Sequence, residues 1–212
     1  MSRGRFIALE GGEGVGKSTQ ARLLGTALEA RGIAVVATRE PGGTDGAEAI
    51  RELLLHSPGG GWNARAEALL FAAARSDHVE KLIRPALVEG KWVVCDRFVD
   101  SSRAYQGGAG GLGDDAIVAL HDRGSEGLRP DLTVLLDTDP ATAGARLAER
   151  DRGASDAIGG RDASYHAEVA DTFRKLAEAD PDGFRIVDAA GSPEVVHIRV
   201  MNAVAPLLAT VR

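Results

Sequence analysis

Short apolar runs alternate along this chain with longer stretches in which apolar residues return every three or four positions. The runs at 5–9, 34–38, 92–95, 132–136 and 184–187 have the length of strands, and Phe6-Ile7-Ala8-Leu9 in the first is a short apolar run suited to a buried parallel strand. Helical spacing fills 18–31, 45–56, 64–89, 114–124, 140–150, 162–179 and 193–208. In the first of these, Leu23, Leu24, Ala27 and Leu28 recur at helical spacing and leave Arg22, Glu29 and Arg31 for water. Asp139 before Pro140 and Ser192 before Pro193 each pair a capping side chain with an imino acid that fits a first turn. Pro85, inside 64–89, removes one helical hydrogen bond and predicts a kink or a split. Strands alternating with helices predict an α/β domain on a doubly wound parallel sheet. No repeat and no linker divides the chain, so residues 1–212 are expected to form a single domain. The Gly-rich stretches 57–61, 107–113 and 153–160 read as loops near a site or as lids.

Composition narrows the partners. The formal net charge is −6, whereas a nucleic-acid polymer usually demands a basic face; a small phosphorylated substrate needs only local arginines. Cys95 is the single cysteine and lies in an apolar run, which excludes an internal disulfide and suggests a buried small hydrophobe. Met1-Ser2-Arg3-Gly4-Arg5 leads straight into a strand without an apolar signal core, and no run approaches a membrane span. The expectation is a cytoplasmic protein that engages neither a membrane nor a nucleic-acid polymer.

Gly11-Gly12-Glu13-Gly14-Val15-Gly16-Lys17-Ser18, with Thr19 behind it, fits the phosphate-loop pattern G-x-x-x-x-G-K-[ST] between a strand and a helix. Glycines let backbone N–H groups turn toward phosphate oxygens, and the helix N-terminus adds partial positive charge at the same place. Lys17 is expected to reach the β- and γ-phosphates of a nucleoside triphosphate, and the Ser18 hydroxyl to ligate Mg²⁺. Trp92-Val93-Val94-Cys95-Asp96 is an apolar strand ending in a carboxylate, so Asp96 is the second candidate for the metal or its waters. Asp137, after Leu132-Thr133-Val134-Leu135-Leu136, is a weaker candidate, better suited to a structural turn. The guanine-reading Asn-Lys-x-Asp of GTPases and the Leu-Ser-Gly-Gly-Gln of transport ATPases are both missing. What is left is a small domain with arginines in several segments, which suits phosphoryl transfer between two anionic molecules.

The phosphate loop is followed in order by Thr38-Arg39-Glu40-Pro41-Gly42-Gly43-Thr44, Leu70-Phe71-Ala72-Ala73-Ala74-Arg75, Asp96-Arg97-Phe98 and Ser101-Ser102-Arg103-Ala104-Tyr105-Gln106-Gly107-Gly108. In this order and spacing the segments resemble those of the bacterial thymidylate kinases, phosphate-loop nucleoside monophosphate kinases. The resemblance implies a P-loop NTPase fold with sheet order 2-3-1-4-5, a homodimer, ATP and Mg²⁺. It also implies transfer of the γ-phosphoryl group of ATP to dTMP, giving dTDP and ADP for dTTP synthesis. By the same resemblance Phe71 stacks on thymine, Arg75 donates to a thymine carbonyl, and Ser102 and Gln106 meet the pyrimidine edge. Glu13 accepts from the sugar 3′-hydroxyl and Tyr105 crowds the 2′ position. Arg39 and Arg97 clamp the acceptor phosphate, with Pro41 in a turn beside it. Each has a plainer reading: core packing for Phe71, whose neighbours Leu69 and Leu70 are expected in the core, a packed loop tyrosine for Tyr105, and a surface ion pair for either arginine. A cis bond before Pro41 is left open.

Residues 141–161 are similar to the family's lid over ATP. The phosphate loop here holds no arginine, so a lid arginine is expected to supply transition-state charge, with Arg150 and Arg152 favoured over Arg146 and Arg161. The chain departs from the lid pattern at Asp156-Ala157-Ile158-Gly159, where an arginine is expected in place of Ala157. Two rivals stay open: a kinase of another nucleoside monophosphate, and a non-catalytic nucleotide-dependent switch.

Overall fold

Five parallel strands form at the five apolar runs: β1 (Phe6–Glu10), β2 (Val35–Arg39), β3 (Trp92–Asp96), β4 (Leu132–Asp137) and β5 (Phe184–Asp188). Their order is β2-β3-β1-β4-β5, as the resemblance implied. The structure, a computed structural model, describes residues 3–56, 61–151 and 159–209, and of 148–151 the backbone alone. Around the sheet lie α1 (Lys17–Glu29), α2 (Asp45–Leu55), α3 (Ala64–His78), α4 (Arg84–Val88), α5 (Val99–Ser102), α6 (Asp114–Ser125), α7 (Pro140–Asp151), α8 (Ala163–Ala179) and α9 (Pro193–Leu208).

Strand parity sends side chains to two separate cores. Ile7, Leu9, Val94, Val134 and Leu136 meet Leu24 and Leu28 of α1 and Val196, Val200 and Val204 of α9. Phe6, Ala8, Val93 and Cys95 meet Val79, Ile83 and Leu87 on the other face. Cys95 is fully buried, the small hydrophobe its apolar setting suggested. A third cluster joins Leu135 and Phe184 to Val169 and Phe173 of α8 and to Tyr105. With both faces covered, the chemistry is left to the carboxyl end of the sheet.

The predicted caps form, for Ser192 Oγ accepts from Val195 N and Asp139 Oδ1 from Thr142 N. The interruption expected near Pro85 takes the form of a change in helix type. Between α3 and α4, Val79–Ile83 widens into a π-helical turn closed by Arg84 N donating to Val79 O. A residue without an N–H is thus absorbed just past one wide turn.

Two expectations fail. The segment 99–109, with no helical pattern, is helical: α5 runs into a second π-helical stretch, Arg103–Ala109, so the loop expected at 107–113 starts late. Its start is held from a distant strand, since Glu10 Oε1 accepts from Phe98 N at 2.7 Å and from Ser101 N at 3.0 Å. Leu69 is 59% exposed instead of buried, because the inward face of α3 is taken by Glu67, Ala68, Ala74, Arg75 and His78.

Candidate active site

Parallel register lines up the carboxyl ends of three strands, with Asp96 opposite both Leu9 and Arg39. The phosphate loop leaves β1 at Gly11, where φ is 137° and a Cβ would stand 2.3 Å from Leu136 O, so only glycine fits. Gly14 is similarly closed in by Ala143 O of α7 at 2.3 Å. Lys17 then opens α1, buried, with Nζ donating to Gly12 O at 2.5 Å. Burial, and then the charge of Arg97, lowers its pKa to about 8. The Ser18 hydroxyl donates to Asp96 Oδ2, while Asp96 Oδ1 is buried without a hydrogen-bond partner.

That orphaned oxygen is the test of whether a cation fits here. A carboxylate and a hydroxyl are hard oxygen donors of the kind Mg²⁺ takes, and a buried carboxylate oxygen needs a partner. No cluster of three or more His, Cys, Asp or Glu suited to a metal occurs among the described residues. The remaining ligands would therefore be phosphate oxygens and water, the usual arrangement for Mg²⁺ beside a nucleotide.

Across a cavity of about 560 Å³ from the loop stands a wall of paired charges. Arg97, at φ 69°, donates from Nη1 to Gly11 O at 3.1 Å and Ser101 Oγ at 3.0 Å, and from Nη2 to Glu13 Oε1 at 2.5 Å and the Tyr105 hydroxyl at 3.3 Å. Burial works against its charge, but Glu13, Asp96 and Glu10 more than restore it and hold its pKa above the usual arginine range. Deeper in, Arg75 is 3% exposed. Its Nε donates to Glu40 Oε2 and its Nη2 to Ser102 Oγ, both at 2.8 Å. Glu40 also faces His78 Nδ1 at 3.1 Å; burial raises its pKa, yet Arg75 and His78 outweigh that and lower it. The Glu40–Pro41 bond is cis.

One cavity gathers most of the residues singled out by sequence: Glu13, Gly14, Gly16, Lys17, Ser18, Thr19, Arg39, Pro41, Phe71, Arg75, Asp96, Arg97, Ser102, Tyr105 and Gln106. Gly11 and Gly12 shape the loop behind it, and Val15 lines a smaller neighbouring cavity of about 160 Å³ with Thr19, Arg146 and Gly191. Arg39 lines the main cavity while held in a half-exposed ion pair with Glu48 at 3.0 Å. Asp137, expected to serve a structural turn, is instead taken by Arg174 through two hydrogen bonds of 2.9 and 3.0 Å. Of the lid arginines, Arg146 donates to Ala189 O and Gly191 O, both at 2.9 Å, and Arg161 pairs with Glu67. The Arg150 side chain, Arg152 and the Asp156-Ala157-Ile158 segment lie outside the described residues.

Sequence reasoning missed Glu10, Glu67, His78 and Arg51. Glu10 is fully buried and accepts from Ser101 Oγ at 2.6 Å, so it steadies the hydroxyl that Arg97 leans on. Burial, then Asp100, pushes its carboxyl up to about 7. A carboxylate closing the apolar run Phe6-Ile7-Ala8-Leu9 was the available signal. Arg51 lines the cavity and donates to Pro41 O at 2.8 Å.

Comparison with known proteins points to one family. A family model described as thymidylate kinase matches residues 9–200. The chain is 60% identical over 205 residues to a thymidylate kinase of Rhizorhabdus wittichii, covering 97% of this chain and 99% of that one. It is 47% identical to one from a Bradyrhizobium species, covering 98% and 92%. A crystal structure of thymidylate kinase from Ehrlichia chaffeensis superposes with a TM-score of 0.77 at 32% identity, covering 94% of this chain and 98% of that one.

Proposed function

Because this chain belongs to the thymidylate kinase family, which transfers the γ-phosphoryl group of ATP to dTMP and so supports dTTP synthesis, we propose a division of labour across the cavity. Residues 11–19 hold ATP. Lys17 supplies charge to the transferring phosphoryl group, and a lid arginine, Arg150 or Arg152 within about 141–161, adds to it. Arg97 and Arg39 hold the phosphate of dTMP as a guanidinium fork holds a dianion, and offset the repulsion between two phosphates. Phe71 and Pro41 bound the base and its turn, Arg75, Ser102 and Gln106 read its edge, Glu13 accepts from the 3′-hydroxyl and Tyr105 fills the space beside the 2′ carbon. The acceptor phosphate is anionic at neutral pH, so no protein nucleophile or strong general base is needed; positioning and electrostatics carry the step.

The observation carrying this reading is that Lys17 and Asp96 share a single cavity with Phe71, Arg75 and Gln106. Ser18 and Asp96 would hold Mg²⁺, which when bound neutralises phosphate charge. A cytoplasmic location and a homodimer belong to the same proposal. No helix among the described residues is long and apolar enough to cross a membrane. Leu53 of α2 and Leu69 of α3, 50% and 59% exposed, are apolar side chains that a partner subunit would cover. Coupled turnover with ATP and a panel of monophosphates tests the assignment: dTMP is used well, dUMP poorly, ribonucleotides and purines hardly at all. Comparable kcat/KM for GMP or CMP would sink it.

A further inference from the structure

Behind the side chains read as base contacts stands a carboxylate outside the cavity lining. Glu67, one helical turn before Phe71 on α3, is 4% exposed. Its Oε2 accepts from Gln106 Nε2 at 3.2 Å, and its Oε1 takes the Arg161 guanidinium. Arg161 is itself fixed, with its guanidinium 4.6 Å from the centre of the Tyr165 ring and Nη1 donating to the Tyr165 hydroxyl at 2.5 Å. That hydroxyl donates to Tyr105 O at 2.9 Å. A buried carboxylate is costly unless paired and hydrogen-bonded; this one is both.

An ionised carboxylate only accepts, whereas a glutamine amide has one donating and one accepting end. Glu67 therefore decides which way round Gln106 stands, with nitrogen toward Glu67 and Oε1 turned away. Gln106 lines the cavity, and no group among the described residues donates to its Oε1. We infer that Glu67 is a positioning residue for base selection: by holding the Gln106 amide oxygen toward the base, it makes Gln106 an acceptor for the N3–H of thymine. Cytosine, whose unprotonated N3 is itself an acceptor, meets that oxygen lone pair to lone pair. The inference rests on the reading of Gln106 and Arg75 as pyrimidine contacts. Arg75 cannot replace this selection, because a guanidinium only donates; it discriminates at the 4 position, where thymine carries a carbonyl and cytosine an amine. Arg161 in turn serves the base side, neutralising Glu67, and the phosphoryl charge falls to other lid residues.

The test is Glu67→Gln in the full chain, with kcat/KM measured for dTMP and dCMP. A glutamine at 67 both donates and accepts, so the Gln106 amide is free to face either way. The dTMP-over-dCMP ratio should fall about tenfold or more, the worth of one hydrogen bond exchanged for a mismatch. It should not vanish, since Arg75 still selects. The loss for dTMP should appear chiefly in KM. A general weakening of the fold lowers both substrates together and leaves the ratio alone, so the ratio isolates orientation from structure. Glu67→Gln combined with Arg161→Met removes the charge with its partner and should lower the ratio too. An unchanged ratio in both folded variants, beside a wild-type chain that prefers dTMP, overturns the inference and leaves the site reading standing. A wild-type chain with no preference for dTMP over dCMP defeats the site reading, and the inference with it.

Discussion

The two walls of the cavity differ in how they treat their charges. On the wall proposed for the acceptor Arg75 is matched to Glu40 and Arg97 to Glu13, and behind it Arg161 is matched to Glu67, each within the protein. On the phosphate wall Lys17 leans on one backbone carbonyl and Asp96 keeps an oxygen with no hydrogen-bond partner. Pairing fixes side chains before a ligand arrives, which suits recognition of one base edge and reduces the ordering cost of binding. Incomplete pairing suits a site whose missing partners are phosphates and a cation, because charge spent on the protein would be unavailable to the transition state. The acceptor side is thus prebuilt, and the phosphate side is completed by what binds.

The largest effect expected from this contrast is at Lys17. Lys17→Ala should leave the fold intact and lower kcat by roughly 10²-fold or more, since charge developing on the phosphoryl group loses its partner. Near-normal turnover in a folded variant would break the phosphate half of the comparison. Next come the lid arginines. Arg150→Ala or Arg152→Ala should reduce kcat by about tenfold or more at saturating ATP and dTMP, whereas Arg146→Ala should mainly raise KM for ATP. Steady-state kinetics on the three variants checks the order, and full kcat in both Arg150→Ala and Arg152→Ala would remove the lid from the chemistry.

How much of this was legible in the sequence follows the range of the forces involved. The strands and the phosphate loop were readable because apolar runs and glycine spacing act locally, down to the Gly11 position that Leu136 O closes in. The helix over 99–109 was not readable: it starts on hydrogen bonds to Glu10, about ninety residues earlier, and nothing in its own Ser- and Gly-rich sequence announces it. Glu67 and Leu69 were misplaced or overlooked for a related reason. Helical spacing gives faces, but only the fold tells which face turns inward, and here a carboxylate turns in and a leucine out. Residue types with one chemical use, such as Lys17 and Asp96, were singled out by sequence and line the cavity, whereas residues that hold others in place, such as Glu10 and His78, were not singled out.

Two smaller effects sharpen the contrast. Arg97→Ala should hurt both kcat and KM for dTMP, because it positions the reacting phosphate, while Phe71→Ala should raise KM by roughly tenfold with kcat nearly kept. Wild-type behaviour of both variants would move the acceptor site elsewhere. The smallest effect is in pH. With its pKa lowered to about 8, free-enzyme Lys17 loses its proton as pH rises through that value, and with it the charge that meets ATP. The kcat/KM for ATP should therefore be about twofold below its plateau at pH 8 and fall further at pH 9. Since Arg97 contributes to that lowering, Arg97→Ala should move the break upward; a profile flat to pH 10 would contradict it.

The most direct test is a crystal structure of the chain with dTMP, Mg²⁺ and a non-hydrolysable ATP analogue. Arg75–Glu40, Gln106–Glu67 and Arg161–Glu67 should persist with the base against Phe71, while Lys17 Nζ leaves Gly12 O for phosphate and Asp96 turns toward the cation. A complex in which the base-side pairs are rebuilt while Lys17 and Asp96 keep their present partners would contradict the account.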